Sequence, residues 1–369
     1  MDIRLHNGLN NTTQDNIFES MKILLASNSI GISSNPFLFQ LKFSLENLGK
    51  GISVDYGLDK FFECKNDYDI IHLHWPEELV GWGHIPNSNE INELGDLLGK
   101  YSTSLKLVCT QHNYFPHHKN NSQYNDLYCK VYKSMHGIIH MGKASIHYYT
   151  QNYESFKSQL HTIIPHGNYS IFPNNITKIQ ARRTLNINDK DIVLLVFGVI
   201  RDYGEIKLIL ESFKNLKNKI KLLLVMTSTE INKLNKFKVF IYSLKEENIK
   251  IINRRIEFDK IQNYLNASDV LLIPRLNALN SGNLILGFTF GLVVVGANKG
   301  VVGEILNETG NPTFNVEDSR SIIRALKRGI LLSSNGKGNE NKKYSKENWN
   351  WYRIAELHYK MYLKLLDRS

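Results

Sequence analysis

Residues 274–304 read PRLNALNSGNLILGFTFGLVVVGANKGVVGE. Just before them, Asp269 opens a continuous apolar run of buried-strand type, VLLI (270–273). A polar loop follows, then a small-residue helical stretch (LILGFTFG), a second apolar strand (LVVVGA), a glycine loop (NKG) and a helix opening near Glu304. Strand, turn, helix, strand, turn, helix is the repeating unit of a parallel sheet with crossover helices. Ser281, Gly282 and Asn283 fall where the first of these helices starts. The unpaired N–H groups of a helix start, with the helix dipole behind them, suit a diphosphate. Glycine lets phosphate approach the backbone, and Ser281 and Asn283 add side-chain donors. The same three residues also fit an ordinary serine N-cap on a core helix.

Outward from this run the alternation continues in both directions. Upstream lie strands at 192–197, 221–226 and 249–252, with helices at 205–216 and 258–267. A separate set precedes Pro173–Asn175: strands at 22–26, 69–73, 105–109, 137–140 and 161–165, with helices between them. The spacing predicts a loose extension over 1–20, a first α/β domain over 21–172, a second over 176–344 and a closing helix within 345–369. Ser333–Lys343 is polar and reads as a flexible loop. Two doubly wound sheets bind ligand at the carboxyl ends of their strands, here in the cleft between the domains.

Composition narrows the class. The 369 residues suit two domains, and 42% hydrophobic with 22% charged residues is ordinary for a globular protein. No apolar run reaches the ~18–20 residues of a membrane span, and no signal peptide is expected. Cys64, Cys109 and Cys129 have no metal-like spacing and read as reduced thiols. His72, His74 and His84 lack a convincingly placed third ligand, so no metal is expected. The net charge of +10 suits general solubility or attraction to anionic head groups and diphosphates. Lys and Arg are dispersed, without a nucleic-acid-binding motif, so no nucleic acid partner is expected.

Several stretches in order carry a family resemblance: HLHWPEELVGW (72–82), TQHNYFPHH (110–118), IIPHGNY (163–169), FGVIRDYGEIKLILESF (197–213), the run at 274–304 and WNWY (349–352). Together they resemble the GT-B glycosyltransferases, particularly the group 1 (family 4) type of bacterial polysaccharide assembly. The resemblance implies two Rossmann-like doubly wound domains facing a cleft, with the last helix crossing back onto the first domain. It implies transfer of a hexose from a nucleotide sugar to a saccharide hydroxyl, with retention and without metal. No cofactor beyond the nucleotide-sugar co-substrate is expected.

Carried over residue by residue, Arg201 matches the cation facing the donor diphosphate, and His112 matches a histidine contacting the transferred sugar. Arg275, Ser281, Gly282, Asn283 and Glu304 join Arg201 on the donor side. Asn35, His74, Asn113, His117 and His166 fall on the acceptor side. The implied partners are the nucleotide sugar, a saccharide acceptor of lipid-linked type and an anionic membrane face. The implied location is the cytoplasm or the inner face of the plasma membrane.

The chain departs from the family pattern at four places. Gly204-Glu205 stand where Lys-Gly is common. Ala278 and Leu286 occupy the places of a frequent glutamate pair. Pro-Arg-Leu (274–276) replaces Pro-Tyr-Arg, so that Arg275 offers its charge from a shifted position. Met226-Thr227-Ser228 stand where a Gly-Lys often follows a strand. These losses motivate an alternative: a non-catalytic GT-B-like subunit that binds glycan or a partner transferase.

Overall fold

A computed structural model describes residues 20–64, 67–114, 122–153, 158–216, 220–227, 248–318 and 320–367. The first sheet contains β1 (Lys22–Leu25), β2 (Ser53–Tyr56), β3 (Ile70–Leu73), β4 (Lys106–Gln111), β5 (Gly137–His140) and β6 (Leu160–Ile163). The second contains β7 (Val193–Val199), β8 (Lys221–Thr227), β9 (Ile249–Asn253), β10 (Val270–Leu272), β11 (Val293–Ala297) and β12 (Thr313–Phe314). Their orders are β2-β1-β3-β4-β5-β6 and β12-β11-β10-β7-β8-β9, and the paired strands are parallel throughout. Helices cover both faces, so β3, β5 and β11 are buried along their whole length and read as continuous rather than alternating runs. Each order reverses direction beside its first strand, β1 or β7. The crevice outside the carboxyl ends of strands at such a point is where open α/β sheets take ligand.

The closing helix, Trp351–Leu366, crosses back onto the first sheet. Tyr362 Oη lies 2.8 Å from His72 Nδ1. Gly137 on β5 leaves room for this helix: a Cβ there would lie 2.5 Å from Met361 Cε. One apolar core joins both domains, running from Ile23 and Phe37 through Ile273 and Val302 to Ile354 and Tyr362.

Ser333–Lys343, expected as a loop, is helical. Helix Ser321–Ser334 is followed almost at once by helix Lys337–Asn348. The second of these, KGNENKKYSKEN, hides its buried face from sequence reading because the buried residues are Asn341 and Ser345. Asn341 Nδ2 donates to Leu292 O and to Asn311 Oδ1, at 2.9 and 2.8 Å. Polar contacts with the second domain therefore replace the apolar stripe that normally marks an amphipathic helix. The backbones meet closely, since a Cβ on Gly338 would lie 2.0 Å from Gly291 O.

Candidate active site

The loops that leave the carboxyl ends of the two sheets enclose a cleft of about 200 Å³. From the first domain come Asn35, Trp75, His112, Asn113 and His166. From the second come Arg201, Arg275, Asn280, Ser281 and Gly282.

The second-domain wall is cationic. Helix Gly282–Phe290 starts here, and Ser281 at its N-cap makes no side-chain capping bond. Its hydroxyl is not spent on the helix, unlike an ordinary serine cap. Tyr169 packs against the helix start, with its oxygen 2.9 Å from where a Gly282 Cβ would lie. Arg201 follows β7 and Arg275 follows β10, so the two neighbouring strands aim both guanidinium groups into one space. Glu205 holds the Arg201 backbone and the Arg275 guanidinium. This buried carboxylate accepts the backbone N–H of Arg201 on Oε2 at 3.0 Å and the side-chain Nε–H of Arg275 on Oε1 at 3.3 Å. Arg275 Nη2 also donates to Val199 O at 3.2 Å. Glu205, to which the sequence reading gave no role, is thus the fixed anchor of the cationic wall.

Two expected donor-side residues lie elsewhere. Asn283 donates from Nδ2 to Phe197 O at 2.6 Å, tying the helix to the end of β7 rather than reaching the cleft. Glu304 bridges the two domains, and the helix expected to open near it starts earlier, at Gly300. The Glu304 carboxylate accepts Lys143 N–H at 3.0 Å and Ala144 N–H at 2.8 Å, capping the first-domain helix Lys143–Asn152. That helix begins after Gly142, which offers no side-chain cap, so an anion from across the interface fills the need.

The first-domain wall is aromatic. The Trp75 ring stacks on His112, with centroids 4.4 Å apart and planes at 21°. Phe37 meets His112 edge-on at 5.4 Å and His166 at 4.6 Å. Asn280 crosses from the second domain, its Nδ2 donating to His112 O at 2.8 Å. Sequence reading assigned no role to Trp75, Phe37 or Asn280, although Trp75 and Asn280 lie inside the stretches quoted for the resemblance. Asn35 lines the cleft, but its Oδ1 accepts Leu38 N–H at 3.1 Å to cap helix Pro36–Glu46. His74 does not line the cleft; it lies behind His112, 2% exposed. It follows directly on buried β3, which carries its ring inward. His117 lies outside the described residues.

Burial sets the charge state of the histidines. It pushes His72 and His74 well down, with neighbouring histidines adding to the effect. It lowers His166 and His358 to about 4 and His140 to about 3. These rings stay neutral in the folded chain but take up protons when unfolded, below pH ~6.5. Their folded values are depressed, so the stability they allow is complete above pH ~6.5 and is lost as pH falls towards 4. Each is expected to remove roughly 1.4 kcal/mol per pH unit across that window. Urea denaturation at pH 7.5, 6 and 5 checks this; a midpoint that does not move would contradict it.

Residues 177–349 match the family described as Glycosyl transferases group 1. That match spans the second domain. No curated protein matches the chain in sequence. Among solved structures, the chain is similar to sucrose-phosphate synthase from Thermosynechococcus elongatus at 15% identity and a TM-score of 0.72, covering 95% of this chain and 100% of that one. It is similar to a glycosyltransferase from Rickettsia africae with the same identity, TM-score and coverage. The Anabaena HepE structure with UDP and glucose matches at 12% identity and a TM-score of 0.69, over 92% of this chain and 99% of that one. Identities this low speak for the fold, and the fold they share with this chain is GT-B. The cationic wall of the cleft, from Arg201 to Gly282, lies wholly inside the group 1 domain.

Proposed function

We propose that the protein transfers a hexosyl group from a nucleotide sugar to a hydroxyl of a saccharide acceptor. The carrying observation is the convergence of Arg201, Arg275 and the start of helix Gly282–Phe290 on one cleft whose opposite wall bears His112. Two guanidinium groups and a helix N-terminus match the oxygens and charge of a diphosphate. The HepE structure contains UDP and glucose, which supports a donor of this class.

The nucleoside end has room beside the diphosphate position. A larger cavity of about 620 Å³ is flanked by Gly198, Phe172, Arg255 and Phe258. Phe172 and Phe258 stack at 4.7 Å, and Phe172 meets Tyr169 of the cleft at 5.5 Å. With the nucleoside in this cavity, the reading puts the sugar on the His112 side of the cleft.

In the transfer, the bond from the anomeric carbon to the phosphate oxygen breaks and a bond to the acceptor oxygen forms. The arginines stabilise the negative charge developing on the departing nucleoside diphosphate. We assign retention of configuration, with the acceptor proton passing to the departing phosphate, and assign the electrophilic role to these cations rather than to a metal. A lipid-linked acceptor at the inner face of the plasma membrane fits the net charge of +10.

A panel of UDP-, GDP- and ADP-sugars, with nucleoside diphosphate release as the readout, tests the proposal. Release that depends on added saccharide is expected. Turnover of donor without acceptor would indicate isomerisation. A thermal shift with a nucleoside diphosphate but no release would favour the non-catalytic subunit. Neither release nor shift would end the donor-site reading.

A further inference from the structure

We propose that His74 fixes the tautomer of His112, holding it with its proton on Nδ1 and its Nε2 lone pair occupied, so that His112 cannot act as a general base. Two neighbouring strands set the geometry. His74 follows β3 and His112 follows β4, and the pairing of Leu73 with Cys109 fixes their separation. His74 Nδ1 lies 3.0 Å from His112 Nε2. One of these nitrogens donates and the other accepts.

The buried end of His74 decides which. Its Nε2 is fully buried and has no hydrogen-bond partner among the described residues. If His112 were the donor, His74 would accept at Nδ1 and carry its own proton on that partnerless Nε2. A buried N–H without an acceptor is among the rarest features of folded proteins, and an under-used acceptor is tolerated better. His74 therefore donates from Nδ1 and leaves only a lone pair on Nε2. His358 shows the same solution nearby: its Nδ1 donates to Ile354 O at 2.8 Å, and its Nε2 is buried without a partner. Burial keeps both rings neutral, so neither supplies a second proton.

The His112 ring is also held against rotation. Trp75 stacks on one face, and Phe37 stands edge-on to both His112 and His74. A neutral imidazole with Nδ1 protonated and Nε2 accepting has no lone pair left for a substrate proton. Within the glycosyl-transfer reading, His112 orients the substrate, and the acceptor proton must leave by another route, consistent with uptake by the departing phosphate.

Nitrogen-15 NMR of the full chain labelled at histidine tests the assignment without turnover, with His112→Gln identifying the His112 signals. The expected result is a protonated Nδ1 and an unprotonated Nε2 on His112. His74→Asn places an amide donor where Nδ1 stood and should keep that pattern. His74→Phe removes the donor and should shift His112 towards the other tautomer. In a turnover assay, His74→Phe should lower kcat roughly 10- to 100-fold with KM for the donor little changed, and His74→Asn should recover most of it. A protonated Nε2 on His112 in the unaltered chain would overturn the proposal. So would an unchanged His112 pattern in folded His74→Phe. If His74→Phe does not fold, the unaltered chain and His74→Asn still decide, because the spectrum requires neither turnover nor donor binding.

Discussion

Arg275→Ala is expected to lower kcat/KM for the nucleotide sugar about 10²- to 10³-fold, the range typical of losing one transition-state charge stabiliser. The sequence offers no lysine at position 204, and among the described residues Arg275 beside Arg201 is the second cation lining the cleft. Its guanidinium keeps one edge on Glu205 and Val199 O, which orients the rest of the group. Removing it also strips a partner from buried Glu205, at a cost of about 1–3 kcal/mol in stability. The double variant Arg275→Ala/Glu205→Gln separates the two effects. It should recover part of the stability, because a neutral amide replaces an abandoned charge, while activity stays low. Glu205→Gln alone should fall between, since Arg275 remains but is held less firmly. Unchanged turnover in Arg275→Ala would leave the Glu205 pair a purely structural contact.

Trp351→Ala is expected to cost about 3–5 kcal/mol of folding stability, as large-to-small changes in a packed core do. The ring is 8% exposed and its Nε1 donates to Asn168 O at 2.6 Å. Gly167 lies directly against it: a Cβ there would sit 2.3 Å from Trp351 Cε2. Phe37, which packs on His112 and His166, lies 5.6 Å from the same ring. The residue therefore clamps the segment that carries His166 to the helix that supports the cleft. Trp351→Phe keeps most of the packing and loses the donor, so about 1–2 kcal/mol is expected. Urea denaturation of both variants gives the comparison. A midpoint within error of the unaltered chain for Trp351→Ala would show that the clamp carries no load.

Much of the fold was legible because buried parallel strands leave short apolar runs that no surface element imitates. VLLI at 270–273 and VVV at 293–295 are examples, and the glycine and polar loops between them fixed the connections. Lys337–Asn348 was illegible because its buried face is made of asparagine and serine, whose partners come from residues distant in sequence. The cleft was legible where a loop residue lies within three positions of a strand end, as with Arg201, Arg275 and His112. It was not legible where a side chain has a choice of direction. Asn283 sits at the expected helix start and Glu304 in the middle of helix Gly300–Glu308, yet one binds the end of β7 and the other caps a helix of the opposite domain. Glu205 was read as the loss of a cation, because its role depends on a guanidinium contributed 70 residues later.

The hydrogen bond between His72 and Tyr362 joins residues 290 positions apart, and it lies in the core of the first domain. During synthesis, the first sheet leaves the ribosome long before Tyr362 is made. Until then Ile23, Phe37 and their neighbours lack the Ile354, Met361 and Leu365 side chains that complete their packing. The N-terminal domain must therefore wait, half-covered, through translation of the whole second domain. A nascent chain stalled before Trp351 is expected to expose the apolar surface of the first domain that Ile354, Met361 and Leu365 cover.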